Sequence, residues 1–289
     1  MQNMDAEERT VLIQHVRDWL QLLRIGNSTV IGFAAFTGYF VGGGRELLTA
    51  TILFVSAFLI GGYGNIINDV LDVEIDRVNK PWRPLPSGRV SIRTAGIAAW
   101  FLLGTGLFLA VLLGIPSFLT AISAGILLYC YSRWVKKKGF LGNLVISVLS
   151  FMVILYGGLS SPDPLLSLLP GIYAFFIILG REVLKGLEDI EGDRAHGVGT
   201  IAVVYGIRSA LVAASVFLSI VVVISPLPYL LGWMNTWYLV FALLGVDFPI
   251  IISLLRVWRN PVDNAWYSTR ILKIPLLMGL IAFTTGVLA

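Results

Sequence analysis

Two short acidic runs carry the chemistry that this sequence advertises. They are Asn68-Asp69-Val70-Leu71-Asp72-Val73-Glu74-Ile75-Asp76 and Glu188-Asp189-Ile190-Glu191-Gly192-Asp193. Each places two aspartates four residues apart, Asp72 with Asp76 and Asp189 with Asp193, and each partner recurs after 117 residues. Residues i and i+4 share a helix face, so each pair projects two carboxylates together, at a cost of about 0.2–0.5 kcal/mol on an exposed helix and more at low dielectric. Basic neighbours supply part of the compensating charge. A hard divalent cation supplies it more compactly: carboxylate oxygens suit Mg²⁺, which keeps positions open for phosphate oxygens. Solvated helix-capping acids would explain one such pair. Two pairs with the same spacing, on the same side of the chain's apolar segments, point to a metal.

The residues around the acids extend this reading. Arg77, Lys80, Pro81, Arg83, Pro84, Pro86, Ser87, Gly88 and Arg89 follow the first run. Lysine and arginine beside Mg²⁺-binding carboxylates are what a diphosphate requires. Lys185 lies four residues before Asp189, with Arg181 one turn earlier, while Tyr131, Ser132 and Lys136 close an apolar segment at the same side. The general excess of base in cytoplasmic loops explains any one of these residues, but not their placement against an acidic cluster.

The elements that must position these groups are apolar helices. The 289 residues are 57% hydrophobic and only 13% charged, with mean hydropathy +0.84, whereas a soluble domain is nearer a quarter charged. That excludes a disordered chain, a disulfide scaffold and an ordinary nucleic-acid binder. The chain reads as an all-α polytopic membrane protein, a single domain over 1–289. Cys130 stands alone and can form neither an intrachain disulfide nor a thiolate cluster. Charge-poor runs predict spans at about 25–44, 47–68, 94–113, 117–132, 139–162, 164–180, 209–227, 236–255 and 268–288. The long runs 94–132 and 209–246 are cut by Gly114-Ile115-Pro116 and Ser225-Pro226-Leu227-Pro228, since proline favours a break. Nine spans put all but Arg45 of the 21 basic residues on one side. The N-terminus and the acidic loops are therefore expected in the cytoplasm, and the C-terminus outside the cell membrane. Four helices between the motifs make both face the same way, as in a parallel internal repeat of two half-bundles around one site.

Residues 1–24 are too charged for a cleaved signal peptide. Val11, Leu12, Val16, Trp19, Leu20 and Leu23 recur at helical spacing, and Asp5 with Glu8 resembles a capping box, so the segment reads as a cytoplasmic, interfacial helix. Asp247, two residues before Pro249, is either a functional intramembrane acid or a local hydrogen-bonding group. His196 reads as a loop histidine without a metal-ligand partner, Gly42-Gly43-Gly44 as an outer turn, and Trp134, Trp233, Trp237 and Trp266 as interfacial anchors.

Together the motifs resemble the UbiA superfamily of intramembrane prenyltransferases. Asn68, Asp69, Asp72 and Asp76, running on into Lys80-Pro81-Trp82-Arg83-Pro84-Leu85-Pro86-Ser87-Gly88, match its first motif. Asp189 with Glu191-Gly192-Asp193 matches its second, with Arg181, Glu182 and Lys185 upstream. The resemblance implies nine helices around a central cavity and transfer of an isoprenoid from its diphosphate with two Mg²⁺ ions. It implies that Asn68, Asp72, Asp76, Asp189 and Asp193 hold metal, and that Lys80, Arg83, Tyr131, Ser132, Lys136 and Lys185 bind diphosphate. Relatives often have Lys-Asp where this chain has Lys185-Gly186, a departure that bears on the acceptor.

Within the superfamily the runs 68–91 and 188–193 are most similar to the archaeal ether-lipid branch, whose acceptor is geranylgeranylglyceryl phosphate and whose donor is geranylgeranyl diphosphate. Arg24 and Asn27 are then candidates for the acceptor phosphate, and Asp69 or the leaving diphosphate for taking the hydroxyl proton. The expected partners are a prenyl diphosphate, a lipophilic acceptor and membrane lipid, with no nucleic acid. Two alternatives remain: an aromatic acceptor, as in quinone, tocopherol or chlorophyll synthesis, and a transporter. The acids cluster near one membrane face, whereas transporter sites lie near the midplane.

Overall fold

The computed structural model describes residues 6–195 and 197–287, and among them all regular structure is helical. Among the described residues eight helical segments are long and apolar enough to cross a membrane, and the protein is an all-α integral membrane protein. Asp5 of the expected capping box, His196 and Leu288 at the end of the last expected span lie outside the described residues. The chain forms two compact units, Met1–Gly32 with Ile52–Arg133, and Phe33–Thr51 with Trp134–Ala289. Each carries one acidic motif.

In the first unit the helices are α1 (Ala6–Leu23), the start of α2 (Ile25–Val41), most of α3 (Leu47–Leu71), α4 (Val73–Asn79), α5 (Ile92–Leu112) and α6 (Ile115–Cys130). The expectation of a span at 25–44 meets a helix of only 17 residues. That is about 26 Å long, against a hydrocarbon core of ~30 Å, so length and composition by themselves do not establish nine spans. α1 and α2 part at Arg24, a non-glycine residue with φ of 46°. The left-handed conformation costs roughly 1–2 kcal/mol and interrupts the helical ladder. The Leu23 carbonyl at the break is capped by Ser28 Oγ (2.8 Å) and Asn65 Nδ2 (3.0 Å). The α5–α6 break falls at Gly114, whose φ of 105° suits glycine.

α1 is amphipathic in an inverted sense. Val11, Leu12, Val16 and Leu20 are exposed, while Asp18 and Leu22 are buried. The stripe of Leu12, Val16 and Leu20 faces away from the unit's core, and the Asp18 carboxylate faces inward.

The second unit takes the rest of α2 and the start of α3, then α7 (Phe140–Gly158), α8 (Leu168–Glu188), α9 (Ile190–Ala195), α10 (Ile201–Tyr205) and α11 (Ile207–Ile224). α12 (Leu227–Leu230), α13 (Thr236–Phe241), α14 (Phe248–Arg259), α15 (Pro261–Ile271) and α16 (Lys273–Gly286) follow. α8 packs against α7, α11 and α15, so the helix that ends at the second motif is central to this unit's core. Its Tyr173 ring meets Phe283 of α16, which also meets Tyr238, at centroid separations of 5.2 and 5.0 Å. Asp247 ends a π-helical run, Ala242–Asp247, just before Pro249. Its Oδ2 accepts from Ser225 Oγ at 2.6 Å, the local hydrogen bond that was one of its two readings.

Candidate active site

The two acidic motifs share a local backbone form. α3 runs to Leu71, Asp72 interrupts it, and α4 follows; α8 runs to Glu188, Asp189 interrupts it, and α9 follows. The interrupting aspartates have nearly the same dihedrals, φ −95° and ψ 0° at Asp72, φ −101° and ψ 11° at Asp189. Both sit in the sparsely allowed bridge region, where active-site residues are common. The i→i−4 backbone bonds nevertheless continue through each break. Asp72 N donates to Asn68 O and Asp76 N to Asp72 O, at 3.0 and 2.8 Å; Asp189 N donates to Lys185 O and Asp193 N to Asp189 O, at 3.1 and 2.8 Å. Each i, i+4 pair therefore keeps helical register, as the spacing requires.

In the first unit five of the expected residues meet, Arg24, Asp69, Asp76, Lys80 and Arg83. Asp69 and Asp76 are buried, and a buried carboxylate needs partners. Asp69 Oδ1 accepts from Arg24 Nη2 (2.6 Å) and from Arg83 Nη1 (3.2 Å), while Asp76 Oδ2 accepts from the same Arg83 nitrogen at 2.7 Å. Lys80 Nζ is 4.0 Å from Asp76 Oδ1. Asn68 Nδ2 donates to Asp72 Oδ2 at 3.2 Å. Arg24 thus reaches the first motif across 45 residues, which its place at the start of a span did not disclose. Asn27 bonds one turn upstream of Asp69, its Nδ2 donating to Asn65 Oδ1 at 3.4 Å. Ser132 is buried and Tyr131 half-buried in a π-helical turn, Tyr131–Val135, that extends α6.

In the second unit Lys136 is half-buried, Lys185 and Asp189 are exposed and Asp193 is half-buried. Arg181 is occupied by its surroundings: Nε donates to Thr269 O (3.0 Å) and Nη1 to Glu182 Oε1 (2.6 Å). A clamp unnoticed in the sequence anchors the end of α8 to α15. Glu188 Oε2 accepts from Thr269 Oγ1 (2.8 Å) and Oε1 from Arg270 Nη1 (3.3 Å), and the Arg270 guanidinium lies 3.6 Å from the Trp266 ring centroid. Trp266, expected as an interfacial anchor, serves here as a cation–π platform.

Among the described residues no three His, Cys, Asp or Glu side chains gather into a metal-binding group. In the first unit the Arg83 guanidinium bonds both Asp69 and Asp76 and supplies positive charge to them. The donor set still fits Mg²⁺ chemically, being carboxylates and one carboxamide, all hard oxygen ligands. Arginine and lysine drawn to this cluster show how strongly it demands positive charge.

Comparison with known proteins agrees with the motifs. Residues 29–282 match the model of the UbiA prenyltransferase family. The chain is 38% identical over 275 residues to the digeranylgeranylglyceryl phosphate synthase of Sulfolobus acidocaldarius, covering 94% of this chain and 98% of that one. It is similar to the solved structure of a digeranylgeranylglyceryl phosphate synthase, with TM-score 0.79, 31% identity, and coverage of 95% of this chain and 99% of that one. It also shares its fold with a UbiA homologue from Archaeoglobus fulgidus bound to DMAPP and Mg²⁺, at TM-score 0.64 and 18% identity over 92% of this chain and 99% of that one. Two acid pairs, each at a helical break of the same local form, on a membrane scaffold that the family model and these relatives match nearly end to end, place the chain in the UbiA prenyltransferase family.

Proposed function

We propose that the protein transfers a geranylgeranyl group from its diphosphate to the glycerol hydroxyl of geranylgeranylglyceryl phosphate, in a Mg²⁺-dependent reaction at the membrane. The observation that carries this is the paired geometry at Asp72 and Asp189, each in the bridge conformation with a second aspartate one turn on. The synthase relatives, similar over nearly their whole length, support the lipid acceptor over an aromatic one.

Asn68, Asp72, Asp76, Asp189 and Asp193 are the proposed metal ligands, for two ions. Bound Mg²⁺ would neutralise the negative charge that develops on the departing diphosphate. Lys80, Arg83, Lys136 and Lys185 hold the diphosphate oxygens by charge-assisted hydrogen bonds, stronger than neutral ones. Tyr131 and Ser132 add hydroxyl donors. Negative charge develops on the leaving group as the C–O bond breaks, so its interaction with these donors grows. The apolar spans receive the prenyl tail and keep water from the allylic cation until the acceptor attacks. Arg24 and Asn27 bind the acceptor phosphate, and Arg24 is already beside the first motif through Asp69. Asp69 takes the hydroxyl proton as the new ether bond forms. The N-terminus and acidic loops are cytoplasmic and the C-terminus is outside.

The test is an acceptor panel with labelled geranylgeranyl diphosphate and Mg²⁺, read by mass spectrometry. Ether formation on geranylgeranylglyceryl phosphate, abolished by chelation, is expected. Failure of that acceptor while an aromatic acid reacts would overturn the lipid assignment, and uptake into vesicles without transfer would overturn the enzyme.

A further inference from the structure

The carboxylate of Asp18 has no part in the chemistry above, yet it is only 2% exposed. It lies on the inward side of a helix whose apolar residues Leu12, Val16 and Leu20 face outward. Burying a carboxylate is costly unless it is paired and hydrogen-bonded, and Asp18 is both. Its two oxygens accept from Arg89 Nε, each at 3.1 Å, and Oδ1 also accepts from Gln14 Nε2 at 3.1 Å. Arg89 spends its other end on the loop after the first motif, Nη2 donating to Trp82 O at 2.9 Å. Trp82 stands between Lys80 and Arg83. One guanidinium thus joins α1 to the middle of the segment that carries both.

That segment is internally braced, so its parts move together. Arg83 N donates to Lys80 O (3.0 Å), Ser87 N to Arg83 O (3.0 Å) and Val90 N to Pro84 O (3.2 Å), and Leu85 and Val90 are buried. Arg83 in turn reaches Asp69 and Asp76. Just past the end of α1, Arg24 reaches Asp69 of the same motif.

We infer that Asp18 and Arg89 are a positioning pair for prenyl transfer. Through them the interfacial helix holds loop 80–91 so that Lys80 and Arg83 present their charges to the donor diphosphate. This rests on the reading that Lys80 and Arg83 bind that diphosphate. Neither Asp18 nor Arg89 needs to touch substrate; their effect passes through the Trp82 carbonyl and the backbone of the loop.

The experiment uses full-length protein in lipid vesicles with labelled geranylgeranyl diphosphate and geranylgeranylglyceryl phosphate. Donor KM, kcat and the thermal unfolding midpoint are measured for Asp18→Asn, Arg89→Leu, Arg89→Lys and the Asp18→Asn/Arg89→Leu double variant. A displaced binding group is expected to raise donor KM about tenfold in Asp18→Asn and Arg89→Leu, with kcat within about threefold of the parent. Arg89→Lys, which keeps a charge that can reach Asp18, recovers part of the loss. The double variant is no worse than Arg89→Leu, because the two residues act as a unit. An unchanged donor KM in folded variants overturns the inference. So does a loss seen only as fewer active molecules, with donor KM unmoved, which is what a purely structural role produces. If Arg89→Leu fails to fold, Asp18→Asn and Arg89→Lys carry the same comparison. Lys80→Met and Arg83→Gln are run alongside. If they leave donor KM unchanged, the diphosphate reading itself fails. If they raise it while the Asp18 and Arg89 variants do not, only the positioning pair fails.

Discussion

The acids of the two motifs do different work according to their surroundings. Asp72 and Asp189 occupy the helical breaks, whereas Asp69 and Asp76 are buried against guanidinium groups. Loss of a ligand carboxylate removes stabilisation of the departing charge, so Asp72→Ala or Asp193→Ala is expected to lower transfer by at least about 10³-fold. Purified variants should retain parental helical circular dichroism. Normal turnover by either variant would exclude that residue as a ligand. Asp69→Asn keeps the size of the side chain but cannot take a proton. A general-base role makes it about 10²–10⁴-fold slower in single-turnover measurements with bound donor, and full turnover would remove that role.

Among the elements, close helix crossings set the precision with which the motifs are held. In the second unit a Cβ added at Gly38 would fall 1.9 Å from Ile154 O, and one at Gly157 would fall 1.8 Å from Ala35 O. α2 and α7 therefore meet backbone to backbone, the small-residue packing that stands in for hydrophobic driving force in lipid. Gly38→Ala or Gly157→Ala must push the helices apart, an overpacking cost of about 1–3 kcal/mol, read as a lowered unfolding midpoint. Gly96 and Gly104 in α5 have nothing within 4 Å of the added methyl. Alanine there is expected to be neutral or stabilising by about 0.5–1 kcal/mol. A similar fall at all four sites would refute the crossing argument.

For the whole molecule, charge sets orientation. With Arg45 alone among the bases beyond the expected cytoplasmic loops, Arg45→Cys in a Cys130→Ser background is expected to react with an impermeant thiol reagent in intact cells. Lys137→Cys should react only after permeabilisation. Reaction of both from outside would break the topology, and with it the nine-span count that the 17-residue α2 leaves open.

What the amino-acid order determined by itself was everything that depends on near neighbours. Continuous apolar runs as long as a bilayer crossing required helices, because only a helix satisfies its backbone groups within one segment, and the strands of a barrel alternate apolar with polar residues. The i, i+4 aspartates required shared faces, and the backbone bonds at Asp72–Asp76 and Asp189–Asp193 follow that register. Gly114 and Ser225-Pro226 stand where α6 begins and α11 has ended. Tertiary structure alone decided which distant charges meet. Asp18 finds Arg89 across 71 residues, Glu188 finds Arg270 across 82, and Arg24 finds Asp69 across 45. Periodicity assigns a residue to a face of its own helix but carries no record of what that face will touch. The buried side of α1 was equally unreadable: its spacing showed an apolar stripe, and only packing showed that the stripe turns outward while a carboxylate goes in. Coulomb attraction between groups remote in sequence acts once the chain has brought them within a few ångströms, and that closeness is a property of the fold.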